Sequence, residues 1–350
     1  MRINTSVLSG DGFSHIEESH ISIEDGLITE VGDGYEAGGL DYKRYLAIPS
    51  FCNAHTHIGD SFARDAATGL SVKQAVGKTG LKWRLYKKSS RKERLNAMRA
   101  TIDSMLGSGT TMFSDFREFG IKGIDEIREA LEGKHIRPVI LGRDVDELLC
   151  DGLGLNLYQA GQISDKRKKI LALHAGELDG EVSQALSCNP DIIVHFTLAA
   201  AEDIREAARR HISVVACPRT NALLGVGFPP VRELIDANVP VSLGTDNVLF
   251  TQPDMFQEMA YLYTASCLEK KPLSPSEILW MATSGGASAF GIHAGVIKKR
   301  MHADITLLDR QAPALKYSRN ILASVVHRCS GENVRKVISG GRLVVDKDRR

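Results

Sequence analysis

Residues 46–57 read Leu-Ala-Ile-Pro-Ser-Phe-Cys-Asn-Ala-His-Thr-His, an apolar run that rises into two histidines one residue apart. In a β-strand successive side chains alternate faces, so His55 and His57 point the same way from adjacent pleats. Two imidazoles then converge on one point, as ligands of a single metal ion would. An isolated H-x-H pair is common on surface loops. The apolar run before this one changes its meaning, because ligands at the end of an inner strand are held rigidly.

Three later stretches repeat the pattern of an apolar strand ending in a metal-competent or proton-transfer residue. They are Ile170-Leu-Ala-Leu-His174-Ala-Gly-Glu177, Asp191-Ile-Ile-Val-His195-Phe-Thr197, and Val239-Pro-Val-Ser-Leu-Gly-Thr-Asp246-Asn247. With these motifs, in this order from residue 47 to about residue 308, the chain resembles the amidohydrolase superfamily of metal-dependent (β/α)8-barrel hydrolases.

With 350 residues the chain can bury a large barrel core and a small accessory unit without covalent staples. A net charge of +1 provides no global field for nucleic acid or a membrane surface, which leaves a small molecule as the expected partner. The six cysteines form no C-x-x-C pair and read as reduced thiols of a cytoplasmic protein. No stretch reaches the roughly 18 apolar residues of a membrane span, and the N-terminus has no long apolar leader.

Short β-like runs with glycine turns fill residues 1–46. Asp25-Gly26 sits between two such runs, a hairpin signal because both central positions of a type I′ turn need positive φ. Residues 303–309 and 337–345 answer it at the far end, the latter folding back through Gly340-Gly341. We therefore expect residues 1–47 and 298–350 to form one small β-sandwich around a catalytic barrel at 48–297, as the resemblance also implies. Between them strands and helices alternate, the signature of a parallel sheet with crossover helices. The expected strands after the first are 110–115, 136–142, 152–158, the two histidine stretches, 211–217 and 241–245. Leu95, Met98, Ile102 and Met105 mark a helix that Gly107 should stop, and Ser274-Pro-Ser-Glu277 is a capping box. The basic stretch 59–92, with Lys78, Lys82, Arg84, Lys87, Lys88, Arg91 and Lys92, reads as a solvated helical face, its length also suiting a lid over the barrel mouth.

In such a barrel the active site lies at the C-terminal ends of the strands, which brings His55, His57, His174 and Asp246 together. Three imidazoles and a carboxylate suit one divalent ion per chain, Zn2+ first and Fe2+ or Mn2+ as alternatives. Family members with two metals carry a modified lysine at the end of the third or fourth strand. Here those strands lead into Arg143-Asp144 and Tyr158-Gln159, so the chain resembles the one-metal deaminase branch. His174-Ala-Gly-Glu177 and Cys217-Pro-Arg-Thr-Asn221 are similar to segments of adenosine-type deaminases. Those enzymes follow the metal aspartate with a second aspartate that reads the purine. Asn247 stands there instead, which argues against adenosine itself as substrate.

The resemblance implies an aminohydrolase that deaminates a purine, pyrimidine, pterin or related cyclic amidine. Glu177 would be the general acid, His195 the group that orients the attacking water, and Asp246 both a ligand and a proton acceptor. Ring-opening or amide hydrolysis of the imidazolone or hydantoin kind is the alternative chemistry, and a non-catalytic scaffold the alternative class. Arginines follow three strand ends, at Arg117, Arg143 and Arg219, with Arg64 behind the histidines. Aimed at the mouth, they would select an anionic group; paired with Asp115, Glu118 or Asp144, they would be structural. Asn247 is a further candidate for contact with the substrate. The family commonly forms homo-oligomers, and the same is expected here.

Overall fold

The computed structural model describes residues 1–161 and 169–349. Its central feature is a parallel ladder of nine strand segments. From one end these are Val241–Leu243, Ser213–Ala216, Ile192–His195, Ile170–Ala175, Gly152–Leu155, Arg137–Gly142, Thr110–Arg117, Phe51–His57 and Asp246–Asn247. The first and last segments are separated in the chain only by Gly244 and Thr245. They are two halves of one broken strand, so the ladder curls into an eight-stranded, TIM-like barrel.

The break has a steric cause. A Cβ on Gly244 would lie 2.7 Å from the Cβ of His55, so only glycine lets the last strand approach the first this closely. Asn53 then fastens the seam, accepting from Thr245 N at 3.0 Å and donating to Thr245 Oγ1 at 2.7 Å. Beyond the break Asp246 pairs with Thr56, which sets its carboxylate between His55 and His57.

The fourth barrel strand is shorter than the sequence suggests. It ends at Leu155, because Asn156 caps a short helix at Leu157–Ala160 in a reciprocal capping box with Gln159. The helix at Arg91–Gly107 runs through the glycine expected to stop it, and the left-handed residue is Gly109, at φ +90°.

Both termini build one small β unit, a seven-stranded sheet. Its order is Arg342–Asp346, Val334–Ser339, Ile305–Asp309, Leu40–Pro49, Arg2–Ser9, Ser14–Glu24, Leu27–Asp33. Asp25 and Gly26 both have positive φ, as do Gly340 and Gly341, so the two hairpin turns form as their residues dictate. Leu8, Leu46, Ile48 and Leu308 of this sheet share one apolar cluster with Met255 and Phe256 of the barrel's outer helix Met255–Leu268 and with Val325 of the terminal helix Ile321–His327. Among the described residues no helix is long and apolar enough to cross a membrane.

Residues 59–92 are not a solvated face. They form three short helices, Ile58–Ala63, Val72–Val76 and Leu81–Lys88, and Val72, Val76 and Trp83 line a cavity at the barrel mouth. Of the seven basic residues singled out, six are exposed and Lys82 alone turns inward, on the same helical face as Tyr86.

Candidate metal centre and active site

The strand ends bring four donors to one point. His174 Nε2 lies 3.2 Å from His57 Nε2 and 3.2 Å from His55 Nε2. Asp246 Oδ1 lies 3.2 Å from His55 Nε2 and 3.6 Å from His57 Nε2. One proton on His174 Nε2 can serve only one of its two imidazole contacts, so the arrangement by itself leaves lone pairs opposed. A cation among the four resolves this. Zinc–ligand bonds of about 2.0–2.1 Å bring neighbouring donors to roughly 3–3.6 Å from one another, the range of these four separations.

The protonation states agree with ligation. Burial lowers the pKa of His55 to about 4 and that of His174 well below the ordinary imidazole value, so both are neutral with a lone pair to give. Burial opposes ionisation of Asp246, but His55 and the other imidazoles outweigh it and hold the carboxyl below the usual carboxylate range.

His195 sits beside the four donors, its ring stacked on that of His174 at 5.5 Å, and one of its nitrogens falls in a cluster with those of His55 and His174. His195 and Phe196 both have positive φ (75° and 53°), as does Asp246 (58°). Non-glycine residues rarely accept this conformation, and the strain is stored where the site is built.

The cavity holds about 190 Å3, and Glu177, Arg143, Asn156, Trp83 and Phe250 join the histidines in its walls. Glu177 is held by the loop that carries it: Glu181 Oε2 accepts from the amides of Gly176, Glu177 and Leu178 at 3.0–3.1 Å. Burial raises the pKa of Glu177, which favours the protonated form that a general acid needs.

Of the arginines expected at the mouth only Arg143 lines the cavity. Arg117 is fully buried below it, facing Asp115, Glu118 and the Tyr86 hydroxyl at 3.4–3.7 Å. Its guanidinium fills the space that a side chain at Gly59 would need, with a Cβ there only 1.9 Å away. Arg219 turns to Glu258 and the Gln252 carbonyl, and Arg64 to Thr101. Asn247 borders the cavity, but its amide is consumed internally, donating to Asp60 Oδ2 at 2.6 Å and accepting from Leu249 N at 2.9 Å. Arg117 and Arg219 are thus paired with buried acids rather than aimed at the mouth, and substrate reading by Asn247 is displaced by its bond to Asp60.

Sequence reasoning did not single out Asp60, Lys82 or Glu118 as site residues. Lys82 Nζ bonds Glu118 Oε1 at 2.6 Å and Asp60 Oδ2 at 2.9 Å, and Glu118 Oε1 lies 3.4 Å from His57 Nδ1. Burial works against charge at both ends of this pair, yet each partner keeps the other ionised: Lys82 is raised and Glu118 held well below its ordinary value. Asp60 and Glu118 could have been flagged by their places just beyond the first and second strands. Lys82 carries no local mark among its basic neighbours.

The chain is similar to known proteins over nearly its whole length. The model of the amidohydrolase family matches residues 46–146 and 155–344. A relative from Methanothermobacter thermautotrophicus, provisionally named an aminohydrolase, is 31% identical over 97% of this chain and 98% of its own length. A 5-methylthioadenosine/S-adenosylhomocysteine deaminase from Pelotomaculum thermopropionicum is 27% identical over 94% of this chain and 89% of its own. Among solved structures, a zinc-bound adenosine deaminase from Xanthomonas campestris superposes with a TM-score of 0.81 at 19% identity, over 99% of this chain and 93% of that one.

Proposed function

The chain belongs to the amidohydrolase family, and from that premise we propose that it is a metal-dependent aminohydrolase that replaces the amino group of a cyclic amidine, of the aminopurine kind first, by oxygen and releases ammonia. It is a hydrolase of C–N bonds other than peptide bonds. The observation that carries this is the convergence of His55, His57, His174 and Asp246 on one point, with Glu177 in the wall of the same cavity. A divalent ion held by the four donors, zinc as in the structural relative, supplies Lewis-acid activation of water near neutral pH.

The chain's own residues do the rest. Glu177 delivers a proton to the ring nitrogen beside the amino-bearing carbon while water oxygen bonds to that carbon. Asp246 takes the proton that water gives up. His195 donates Nδ1–H to Asn221 Oδ1 at 3.0 Å, so its Nε2 is the nitrogen left to orient the water. The C–N bond then breaks as the proton held by Asp246 passes through Glu177 to the departing nitrogen, the hydroxyl proton goes to Glu177 as the C=O bond forms and restores its acid form, and ammonia leaves. The lid helices over the cavity exclude bulk water from this sequence.

We take residues 48–297 as the catalytic barrel and residues 1–47 with 298–350 as a small β-sandwich beside it. The six free cysteines support a reducing, cytoplasmic setting. The test is metal content together with ammonia release from a panel of aminopurine nucleosides, pterins and aminopyrimidines. Asp246→Asn should weaken zinc binding and abolish turnover together. Full activity of the metal-stripped protein, or hydrolysis without ammonia, overturns the reading.

A further inference from the structure

Lys82 reaches from the lid to two carboxylates that stand just beyond the first and second barrel strands. Its Nζ is shared between Glu118 and Asp60, each almost fully buried. Glu118 uses the same Oε1 toward His57 Nδ1, at 3.4 Å. Asp60 uses the same Oδ2 toward Asn247 Nδ2, at 2.6 Å, and Asn247 follows Asp246 directly in the chain. One ammonium therefore fixes the two carboxylate oxygens that steady His57 on one side and the Asp246 segment on the other.

We propose that Lys82 is a positioning residue that makes the lid helix Leu81–Lys88 part of the metal centre, orienting His57 through Glu118 and Asp246 through the Asp60–Asn247 bond. The inference rests on the function proposed above and adds to it a coupling between lid placement and ligand geometry.

Three observations support the assignment over a plain structural ion pair. The same two oxygens, and not their neighbours, bridge from lysine to the ligand side: among the described residues Glu118 Oε2 and Asp60 Oδ1 make no hydrogen bond of their own. Ligation through Nε2 leaves the His57 proton on Nδ1, which makes no hydrogen bond among the described residues as the ring stands but has Glu118 Oε1 3.4 Å away, an acid placed to fix the tautomer and orientation of a metal-binding imidazole. The rest of the lid's basic residues point to solvent, so charge alone does not explain why this one is turned inward. Were the lid helix to lift, Asp60 and Glu118 would lose their shared cation, Glu118 keeping only the longer contacts to Arg117 and Arg143 at 3.7 and 4.0 Å. Lid opening and loosening of the ligand set are thus one event.

The test compares wild type with Lys82→Met, Glu118→Gln and the double variant. Zinc affinity is measured by competition with a chromophoric chelator, and ligand geometry by the visible absorption of the Co2+-substituted protein. Lys82→Met and Glu118→Gln should each weaken zinc binding about 10- to 100-fold, the usual scale for losing an outer carboxylate, and alter the cobalt spectrum. The double variant should lose no more than the larger of the two single losses, because both changes break one chain of contacts. Zinc affinity within about twofold of wild type and an unchanged cobalt spectrum in Lys82→Met overturn the proposal, even if that variant melts earlier. Should Lys82→Met not fold, Glu118→Gln and Asp60→Asn, which preserve side-chain volume, are read out in the same two ways, and indifference in both overturns it equally. A wild-type protein that binds no zinc overturns the proposed function as well; normal wild-type binding with indifferent variants overturns only the role of Lys82.

Discussion

Asn221 Oδ1 accepts the Nδ1 proton of His195 at 3.0 Å, while its Nδ2 donates to Thr197 Oγ1 at 2.7 Å. Both ends of the amide are committed, so its orientation is fixed and with it the tautomer of the imidazole. His195 itself stands in a strained left-handed conformation at the end of its strand, and nothing in the strand alone dictates the ring's orientation. The amide supplies it. Asn221→Leu, which removes the acceptor without opening a large void, should lower kcat about 10- to 100-fold while one zinc per chain remains. Measuring kcat and zinc content on the same preparation checks this, and a normal rate would release His195 from any need of a partner.

The four-donor cluster was legible because each donor closes an apolar strand, and strand ends in a parallel barrel are neighbours by construction. The hairpins at Asp25-Gly26 and Gly340-Gly341 were legible for the same local reason, since their residues tolerate the φ angles the turns need. Asn221 stood inside a segment that resembled a known one, yet its role depends on meeting His195 across 26 residues. Lys82 was harder still. Its inward turn is decided by Asp60 and Glu118, which lie on other elements, and a run of seven basic residues offers no periodic signal for one of them. The arginines misled because following a strand end places a residue near the mouth without saying which way its side chain goes. Arg117 found Asp115 and Glu118 beneath the site, and Arg219 found Glu258 beside it.

Glu177 lies in the cavity wall on a loop whose three amides are gathered by Glu181. Glu177→Gln should retain zinc and lose at least about 100-fold in kcat, the lower range for general acid–base catalysis. Because burial raises the Glu177 pKa, the acid is active when protonated, and kcat/KM should fall as pH rises through that raised value. The limb should vanish from the residual activity of Glu177→Gln. A wild-type profile with no such limb on the alkaline side would assign the proton to another group.

Glu258 is another buried carboxyl, outside the cavity and pressed against Arg219. Burial raises its pKa to about 7, with Arg219 working in the opposite direction. The unfolded chain releases this proton near the ordinary glutamate value of about 4.3. Between that value and about 7 the folded state holds more protons than the unfolded one, so stability falls as pH rises across this window. The contribution is complete below the window and lost above it. At about 1.4 kcal/mol per pKa unit, it is on the order of 3 kcal/mol. Glu258→Gln should flatten the dependence of unfolding free energy on pH between about 5 and 7, by roughly that amount. Urea titrations at several pH values measure it, and parallel curves for the two proteins would show that Glu258 is ionised throughout.

Selection of an anionic substrate group now rests on one arginine. Arg143 donates Nε–H to the Gly154 carbonyl at 3.1 Å and keeps Nη1 at 4.0 Å from Glu118, while Nη2 has no hydrogen-bond partner among the described residues. Arg143 lines the cavity wall, anchored by one edge, and its buried, unpartnered Nη2 is the donor that a carboxylate or phosphate would take if the guanidinium turned toward it. Hydrogen bonds to charged groups contribute about 1.5–3 kcal/mol, so Arg143→Ala should raise KM roughly 10- to 100-fold for a substrate bearing such a group. The same change should leave KM for the uncharged analogue nearly untouched. Arg219→Ala, with its partner Glu258 and no place in the cavity wall, should alter neither. Steady-state kinetics on a matched pair of neutral and carboxylated nucleoside-type substrates separate the outcomes. An equal rise in KM for both would make Arg143 a packing residue tied to Glu118, and no rise for either would remove the anionic group from the substrate.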